Sequence, residues 1–355
     1  MPNPSQSDLH VNVPLTNVSI AYMQSADAYI ADKVFPKVPV KKQSDLYWKY
    51  SKSDWRRTDV ARRAPSTETP GVGWNLTTEQ YFAHVYGVHK DIDDQLRANA
   101  DSNFILDRDS TEFVTNQLLL KRDVDWANTF FKTGVWDAEF TAGSITYNGL
   151  TQNGYAGAGF ASKWSDAGSD PIGDVARSVI AFRKQTGFAP NIMVLGADVM
   201  TALKQHPDII DRIKYTQRGI VTEDLIATMF GVKELYTSYA TATTTAAEVS
   251  AGTAAQGNGI QVPDVRAQDA NASYNFINNS KSALLCYAPA APSLMTPSAG
   301  YTFTWNGYLG GNSEGIKIKR FRMEHIASDR IEAEMTYDMK VVAPDMGAFF
   351  SNVVA

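Results

Sequence analysis

The sequence has few of the residues from which catalytic and metal sites are usually built. Its 355 residues include five histidines and one cysteine, which excludes an internal disulfide framework and a zinc site based on cysteine pairs. The single thiol, Cys286, lies in the apolar stretch SALLCYAP and is expected in the core. No run approaches the roughly 18 apolar residues of a membrane span, and the N-terminus lacks the features of a secretory signal. A net charge of −5 argues against nucleic-acid binding through a general excess of positive charge.

The histidine with the most informative neighbours is His206, in the stretch VMTALKQHPDIIDRIKY. Beside Asp208 it could form a proton-transfer pair or part of a metal site. Pro207, however, has no amide hydrogen and disfavours helical backbone in the residue before it. One helix that ends at His206 and another that begins at Pro207, with Asp208 in its first turn, accounts for all three residues. We therefore predict a structural hinge at His206, Pro207 and Asp208.

Other candidate sites are weaker. His84 and His89 are five residues apart, which would place them on opposite faces of a strand. The stretch GNSEG matches the nucleophile elbow of serine hydrolases around Ser313. That motif needs a helix after the serine, whereas a strand-like segment follows here. A hydrolase that uses Ser313 is the alternative from another functional class, and the prediction is a protein with no catalytic site, metal or cofactor.

The N-terminal quarter of the chain looks unable to bury itself. Prolines interrupt residues 1–39, which predicts an arm with one helix over residues 19–34. The aromatic stretches DLYWKYSKSDWRR and QYFAHVYGVHKDID flank a polar segment rich in Gly and Pro, which predicts a long hairpin. Eight basic and three acidic residues between Lys41 and Arg63 give this hairpin a charge of +5. Because an isolated two-stranded hairpin is marginal in water, we expect both segments to rest on another surface.

Residues 107–131 carry the strongest helix signal. Asp109 and Glu112 form a start that resembles a capping box. An apolar face with helical spacing follows, and Gln117 is its only polar member. The predicted core residues of this helix are Phe113, Leu120, Val124, Ala127 and Phe131. Leu118, Leu119 and Trp126 add apolar surface off that face, so we expect the helix to be buried on more than one side.

A compact unit of helices and strands is predicted after a loop over residues 138–169. Asp170 is expected to cap a helix that Gly187 ends. Strands are predicted in PNIMVL, VKELYTSYA and SALLCYAP, and a flexible surface loop is predicted over residues 241–259. RIEAEMTYDMKV alternates as a long half-buried strand, with GIKIKRFRME as its expected partner.

The order of these segments resembles that of the tailed-phage major capsid proteins, whose fold is named after phage Hong Kong ninety-seven and recurs in encapsulins. The stretches that carry the resemblance are PNIMVLGADVMTALKQHPDIIDRIKY, TEDLIATMFGVKELY and DMKVVAPDMGAFF. It implies an α+β fold with an N-terminal arm (1–39), an E-loop hairpin (40–91), a P domain with a spine helix (92–169), an α/β A domain (170–289) and C-terminal strands that return to the P domain and close the A domain (290–355).

The resemblance also implies a structural function. The chain would be the subunit of an icosahedral shell, built of hexamers and pentamers, that encloses double-stranded DNA without sequence-specific binding. Expected partners are a separate scaffolding protein, a portal and, optionally, a decoration protein; expected locations are the virion and, during assembly, the host cytoplasm. An encapsulin-like compartment is the alternative within this fold. The hairpin residues expected at the subunit interface are Lys49, Lys52, Trp55, Arg56, Arg57, Arg62 and Arg63.

A covalently linked shell is not expected. Some members of the family join an E-loop lysine to an asparagine of a neighbouring subunit by an isopeptide bond. Between Ser313 and Ser351, where that asparagine would be expected, this sequence contains none. The resemblance and the sequence together therefore predict a non-covalent shell.

Overall fold

The computed structural model describes residues 28–99, 105–142, 144–147, 159–214, 221–243, 274–292, 296–309 and 315–355. Ser313, the first 27 residues and most of the predicted 241–259 loop lie outside these ranges. The helices are α1 (Ala31–Val34), α2 (Lys52–Arg56), α3 (Asp94–Asn99), α4 (Leu106–Phe130), α5 (Pro171–Thr186), α6 (Ala197–Gln205), α7 (Pro207–Ile213), α8 (Glu223–Phe230) and α9 (Asn306–Leu309), and short 3-10 turns cover Glu324–Ile326 and Pro344–Met346. The strands are β1 (Lys37–Val40), β2 (Ser44–Tyr50), β3 (Leu76–Phe82), β4 (His84–Asp93), β5 (Ala138–Thr141), β6 (Ser144–Tyr147), β7 (Ile192–Gly196), β8 (Glu234–Ser238), β9 (Thr241–Thr243), β10 (Tyr274–Phe276), β11 (Ala283–Cys286), β12 (Gly300–Trp305), β13 (Ile316–Met323), β14 (Ser328–Val341) and β15 (Gly347–Phe350).

The first sheet is built around β14. This strand pairs antiparallel with β13 and β4 along most of its length and with β12 near its end, while β1 lies parallel to β12. The predicted pairing of GIKIKRFRME with RIEAEMTYDMKV is therefore confirmed. The alternating residues Ile331, Ala333 and Met335 are almost fully buried, and α4 packs across β14 and β4. Glu334 and Thr336 on the opposite face are also buried, so this strand is covered more completely than predicted.

The second sheet has the order β6-β5-β15-β11-β7-β8 and mixes parallel with antiparallel pairs. The predicted strands in PNIMVL, VKELYTSYA and SALLCYAP are confirmed as β7, β8 and β11. The loop predicted over residues 138–169 is corrected, since β5 and β6 lie in it. Ala138 and Phe140 are fully buried because β5 pairs with the distant strand β15, a contact that local composition does not reveal.

The buried face of α4 differs from the predicted one. Phe113 is 52% exposed, and Leu120 and Val124 are only half-buried. The prediction of these three side chains as core is therefore wrong within the subunit, whereas Ala127 and Phe131 are buried as predicted. The helix carries apolar residues around much of its circumference, so spacing alone permitted more than one face, and packing against the first sheet selected another. The buried apolar residues within α4 are Val114, Leu118, Leu119, Trp126, Ala127 and Phe130.

The described end of the predicted arm belongs to the core of its own subunit. Ile30, Val34 and Phe35 are almost fully buried, and the Phe35 ring centroid lies 4.6 Å from that of Phe130. The amide of Ile30 donates to the carboxylate of Asp123 on α4, with a distance of 3.1 Å. Of the helix predicted over residues 19–34, the described part is α1 alone. The expectation that residues 1–39 build no core is therefore wrong for Ile30, Ala31, Val34 and Phe35.

The helix ends that the sequence predicted for α5, α6 and α7 are confirmed. The Asp170 side chain accepts a hydrogen bond of 2.8 Å from the Gly173 amide and so caps α5. Gly187 ends the helix with a φ of +80°, a left-handed conformation that glycine adopts without steric cost. Helix α6 ends at Gln205, and α7 begins at Pro207, so that His206 alone, with extended backbone, separates the two helices.

Candidate assembly interface

The hairpin is a two-stranded ribbon that forms a sheet of its own, separate from the two larger sheets in strand pairing. Strands β2 and β3 pair antiparallel, with Ser44 opposite Phe82 and Tyr50 opposite Leu76. The next strand, β4, was expected within the hairpin but pairs with β14 instead. The chain leaves the ribbon at Ala83, whose amide donates to the Gln43 carbonyl. The paired hairpin therefore ends at Phe82 rather than at residue 91.

The inner face of the ribbon is fixed to its own subunit. The ring of Tyr81 stacks on that of Phe303 in β12, with a centroid separation of 4.7 Å and an interplanar angle of 11°. Tyr47 lies beside the same ring at 5.5 Å, and its hydroxyl donates to Glu79 at 2.6 Å. Burial, together with the Glu79 carboxylate, raises the pKa of Tyr47 above its usual range, which keeps this hydroxyl a donor.

The outer face of the ribbon is apolar and exposed. Residues directly opposite one another in an antiparallel pair share a face, so Leu46, Trp48, Tyr50 and Leu76 lie on one side. Their exposed fractions are 59%, 57%, 36% and 41%. Trp55 and Trp74, farther along the hairpin, are 57% and 65% exposed. We call Leu46, Trp48, Tyr50 and Leu76 the outer face, beside which lie the polar residues Thr78 and Gln80; a cluster of exposed apolar side chains of this kind is typical of an interaction site.

Tryptophans elsewhere in the subunit show how unusual this surface is. Trp126, Trp136 and Trp164 are fully buried, and Trp305 is half-buried. The three most exposed tryptophans all lie on the hairpin. The tryptophans are thus buried or half-buried except in the hairpin.

The basic residues predicted as interface contacts are mostly occupied within the subunit. Lys49 Nζ lies 2.8 Å from Glu79. Arg57 Nε lies 2.7 Å from Asp59, and Arg63 Nε donates to the Thr67 carbonyl. Lys52 and Arg56 reach the body of the subunit, as described below, while Arg62 and Trp55 are exposed. The structure therefore spreads the seven predicted residues along the hairpin rather than gathering them into one cluster.

Sequence reasoning missed the outer face. Its signal was present in the stretch DLYWKY, where Leu46, Trp48 and Tyr50 alternate with Asp45 and Lys49. When a two-stranded ribbon packs on the body of the protein, at most one of its two faces is buried. The other face is therefore exposed to solvent or to a partner.

The His206 ring is held by structural contacts. It is 2% exposed, and its Nε2 lies 3.0 Å from Ser169 Oγ and 3.2 Å from the Asp166 carbonyl oxygen. Its Nδ1 accepts the backbone amide of Asp208 at 3.3 Å, while Asp208 itself is exposed. The imidazole thus caps α7, and the carboxylate is not its partner. This geometry favours the hinge interpretation over a proton-transfer pair.

The surroundings of Cys286, and those of a pocket beside α4, do not favour a reactive group. Cys286 is fully buried in β11, and burial raises the pKa of its thiol, which makes a reactive thiolate unfavourable. A pocket of about 260 Å³ lies between α4 and the first sheet. Its polar groups bind one another, since Tyr337 Oη and Lys121 Nζ both donate to Asp125 at 2.6 Å. Within the described ranges, no cluster of three or more His, Cys, Asp or Glu side chains has the arrangement of a metal site, and no helix combines the length and apolarity of a membrane span.

Curated proteins similar to this chain include phage major capsid proteins. The family model described as phage major capsid protein E matches residues 143–281. The chain is 26% identical to the major capsid protein of Pseudomonas phage JBD67 over 359 residues, or 99% of each chain. It is 29% identical to that of Burkholderia phage BcepMu over 232 residues, which are 63% of this chain and 67% of the relative.

Solved structures agree on the fold. A phage-related protein from Bordetella bronchiseptica RB50 superposes with a TM-score of 0.66 at 19% identity, over 97% of this chain and 98% of the other. The capsid structure of cyanophage P-SCSP1u gives a TM-score of 0.56 at 11% identity, over 91% and 88%. The mixed helices and sheets described above therefore form a phage capsid fold.

Proposed function

This chain belongs to the family of phage major capsid proteins, and from that premise we propose that its copies assemble into a closed icosahedral shell around double-stranded DNA. The observation that carries the proposal is the exposed outer face of the hairpin. A soluble monomer rarely exposes such a surface, whereas a subunit of a shell covers it with a second copy. Heterologous contacts of this kind close into rings when the rotation between copies permits.

The energetics favour such a contact. Full burial of a large apolar side chain stabilises by about 1.5–3 kcal/mol. Leu46 and Trp48 are each more than half exposed, so covering them contributes about 1 kcal/mol or more per side chain by the same relation. Aromatic residues in the centre of an interface commonly dominate its affinity. The outer face therefore has the composition expected of an obligate contact.

The regions of the fold have expected roles in this proposal. The ribbon β2–β3 is the E-loop, α4 is the spine helix, and residues 170–289 form the A domain, within which His206, Pro207 and Asp208 make a hinge. Residues 290–355 return through β14 and close the A-domain sheet through β15. A separate scaffolding protein, a portal and an optional decoration protein are the expected partners, and the host cytoplasm is the expected place of assembly.

A genome-filled shell is favoured over an encapsulin-like compartment. The relative that matches 99% of this chain is a phage capsid protein. The net charge of −5 suits a wall that encloses DNA without binding it tightly. Particles purified from infected cells should therefore contain double-stranded DNA, and particles that contain a folded enzyme instead would favour the compartment.

Negative-stain electron microscopy of the purified protein tests the shell itself. We expect uniform closed particles or rings of subunits. A dispersed monomer that persists at high protein concentration, also in the presence of the co-expressed scaffolding protein, would contradict the proposal. Labelling by a fluorophosphonate probe that Ser313→Ala abolishes would instead support the hydrolase alternative.

A further inference from the structure

Two basic residues of the hairpin contact the body of their own subunit. Lys52 and Arg56 are four residues apart on α2 and therefore share one face of that helix. Lys52 Nζ lies 2.6 Å from Asp345 Oδ2, in the turn Pro344–Met346. Arg56 Nη1 donates to the Gln185 carbonyl at 2.5 Å. One helical face thus reaches two separate parts of the body.

Both acceptor positions favour a positive charge. The Asp345 side chain is only 18% exposed, and the neighbouring Asp137 donates its amide to the Pro344 carbonyl at 3.1 Å. Burial and the charge of Asp345 raise the pKa of Asp137, which is the effect of two carboxyl groups held close together. A cation between the hairpin and this pair relieves their repulsion.

The second acceptor lies at the C-terminal end of α5, where the helix dipole is negative. Arg56 lies directly over Gly187, at a point where a Cβ atom would stand 2.4 Å from Arg56 Nη2. The glycine therefore provides the space for the guanidinium as well as the left-handed turn that ends the helix. Gln185, two residues earlier, presents the carbonyl that Arg56 binds.

We propose that Lys52 and Arg56 are positioning residues that hold the hairpin against its own subunit, so that the outer face is presented to a second copy as a fixed surface. The role of the second copy rests on the proposed function; the intramolecular contact does not. Tyr81 and Phe303 fix the ribbon near its base, while residues 57–75 are exposed throughout. A ribbon of two strands is marginal by itself, and a contact at its far end reduces the ordering that assembly must otherwise supply. Arg56 therefore contacts its own subunit, whereas the sequence predicted it at the interface with a neighbouring subunit.

Hydrogen exchange of dispersed subunits tests the contact directly. The double variant Lys52→Ala/Arg56→Ala should exchange the amides of β2 and β3 about tenfold faster than the wild type, because local opening becomes easier. Its thermal midpoint should remain close to that of the wild type, since the body keeps its core. The matched control is Lys42→Ala/Arg57→Ala, which removes the same charge from the same hairpin. These two residues pair with Asp45 and with Asp54 and Asp59, all within the hairpin.

Equal exchange in the two double variants would overturn the proposal. Lys52→Arg alone should keep the slow exchange of the wild type, because it retains a cation opposite Asp345. The assembly threshold then tests the positioning role: the Lys52→Ala/Arg56→Ala variant should need a several-fold higher protein concentration than its control. Faster exchange with an unchanged threshold would refute that role and leave the shell proposal intact. Failure of the wild type to assemble would contradict the shell proposal, while the exchange comparison would still decide the contact.

Discussion

The outer face of the hairpin offers the sharpest test of how these subunits join. The double variant Leu46→Ser/Trp48→Ser replaces two side chains that are 59% and 57% exposed in the subunit. Folding should change little, because surface substitutions away from buried contacts usually alter stability by about 0.5 kcal/mol or less. Assembly should change greatly, because both side chains are expected to be buried against a second copy.

The magnitude follows from the burial that assembly would add. If each side chain loses about 1–1.5 kcal/mol of apolar burial on substitution, the pair costs roughly 2–3 kcal/mol for each contact. Every 1.4 kcal/mol corresponds to about tenfold in association, so the concentration at which particles appear should rise roughly 30- to 100-fold. Light scattering across a dilution series, with circular dichroism on the same samples, measures both quantities.

The matched control is Ile180→Ser on α5, a side chain that is 69% exposed and lies outside the hairpin. It removes exposed apolar surface without touching the ribbon. Particles of the Leu46→Ser/Trp48→Ser variant at the wild-type threshold would refute the assignment of the outer face. An equal rise for Ile180→Ser would show that the effect is not specific to the hairpin.

Three further outcomes are expected. Burial raises the pKa of Asp123 to about 6 from 3.8, so its protonated form favours folding and this contribution is lost as the pH rises through 6. Between pH 4 and pH 7 the free energy of unfolding should therefore fall by about 2–3 kcal/mol, and Asp123→Asn should remove this fall. An identical pH profile for the variant would contradict the assignment. Gly347→Ala would place a Cβ atom 2.0 Å from the ring of the buried Trp136, so it should lower the free energy of unfolding by about 1–3 kcal/mol. The control is Gly168→Ala, which has open space around its Cβ; equal losses in the two variants would contradict the overpacking. Mature particles boiled in detergent should give a single band near 39.0 kDa, and a ladder of covalent multimers would refute the non-covalent shell.

Several features of the fold could be predicted because their causes are local. The ends of α5 depend on Asp170 and Gly187, and the break between α6 and α7 depends on Pro207. Each of these residues acts through its own backbone or on the next few residues, so their effects could be predicted from the sequence. The alternation of Ile331 with its neighbours likewise predicted β14, because the side chains of a strand point to alternate faces. The aromatic stretches on either side of a polar segment predicted the existence of the ribbon.

Other features depend on which distant segment packs against a given residue. Phe113 and Val114 are adjacent in an apolar helix, and only the position of the first sheet decides that Val114 is buried and Phe113 is not. Strands β5 and β6 form because β15, some 200 residues later, supplies an edge for β5. Phe35 enters the core because α4 places Phe130 opposite it.

The candidate site shows the same division between sequence and structure. The sequence by itself determined that a charged, aromatic hairpin would project from a body able to fold around buried aromatic residues. Composition and the spacing of apolar residues are properties of the segment alone, so they can be read without the rest of the fold. Only the tertiary structure decided which side of the hairpin is free: Tyr47 and Tyr81 are covered by Phe303, and the acceptors at Asp345 and Gln185 bind the basic face of α2. Those partners lie far from the hairpin in sequence, and their positions depend on the fold of the whole subunit, so the exposed face became identifiable only once the rest of the chain had packed.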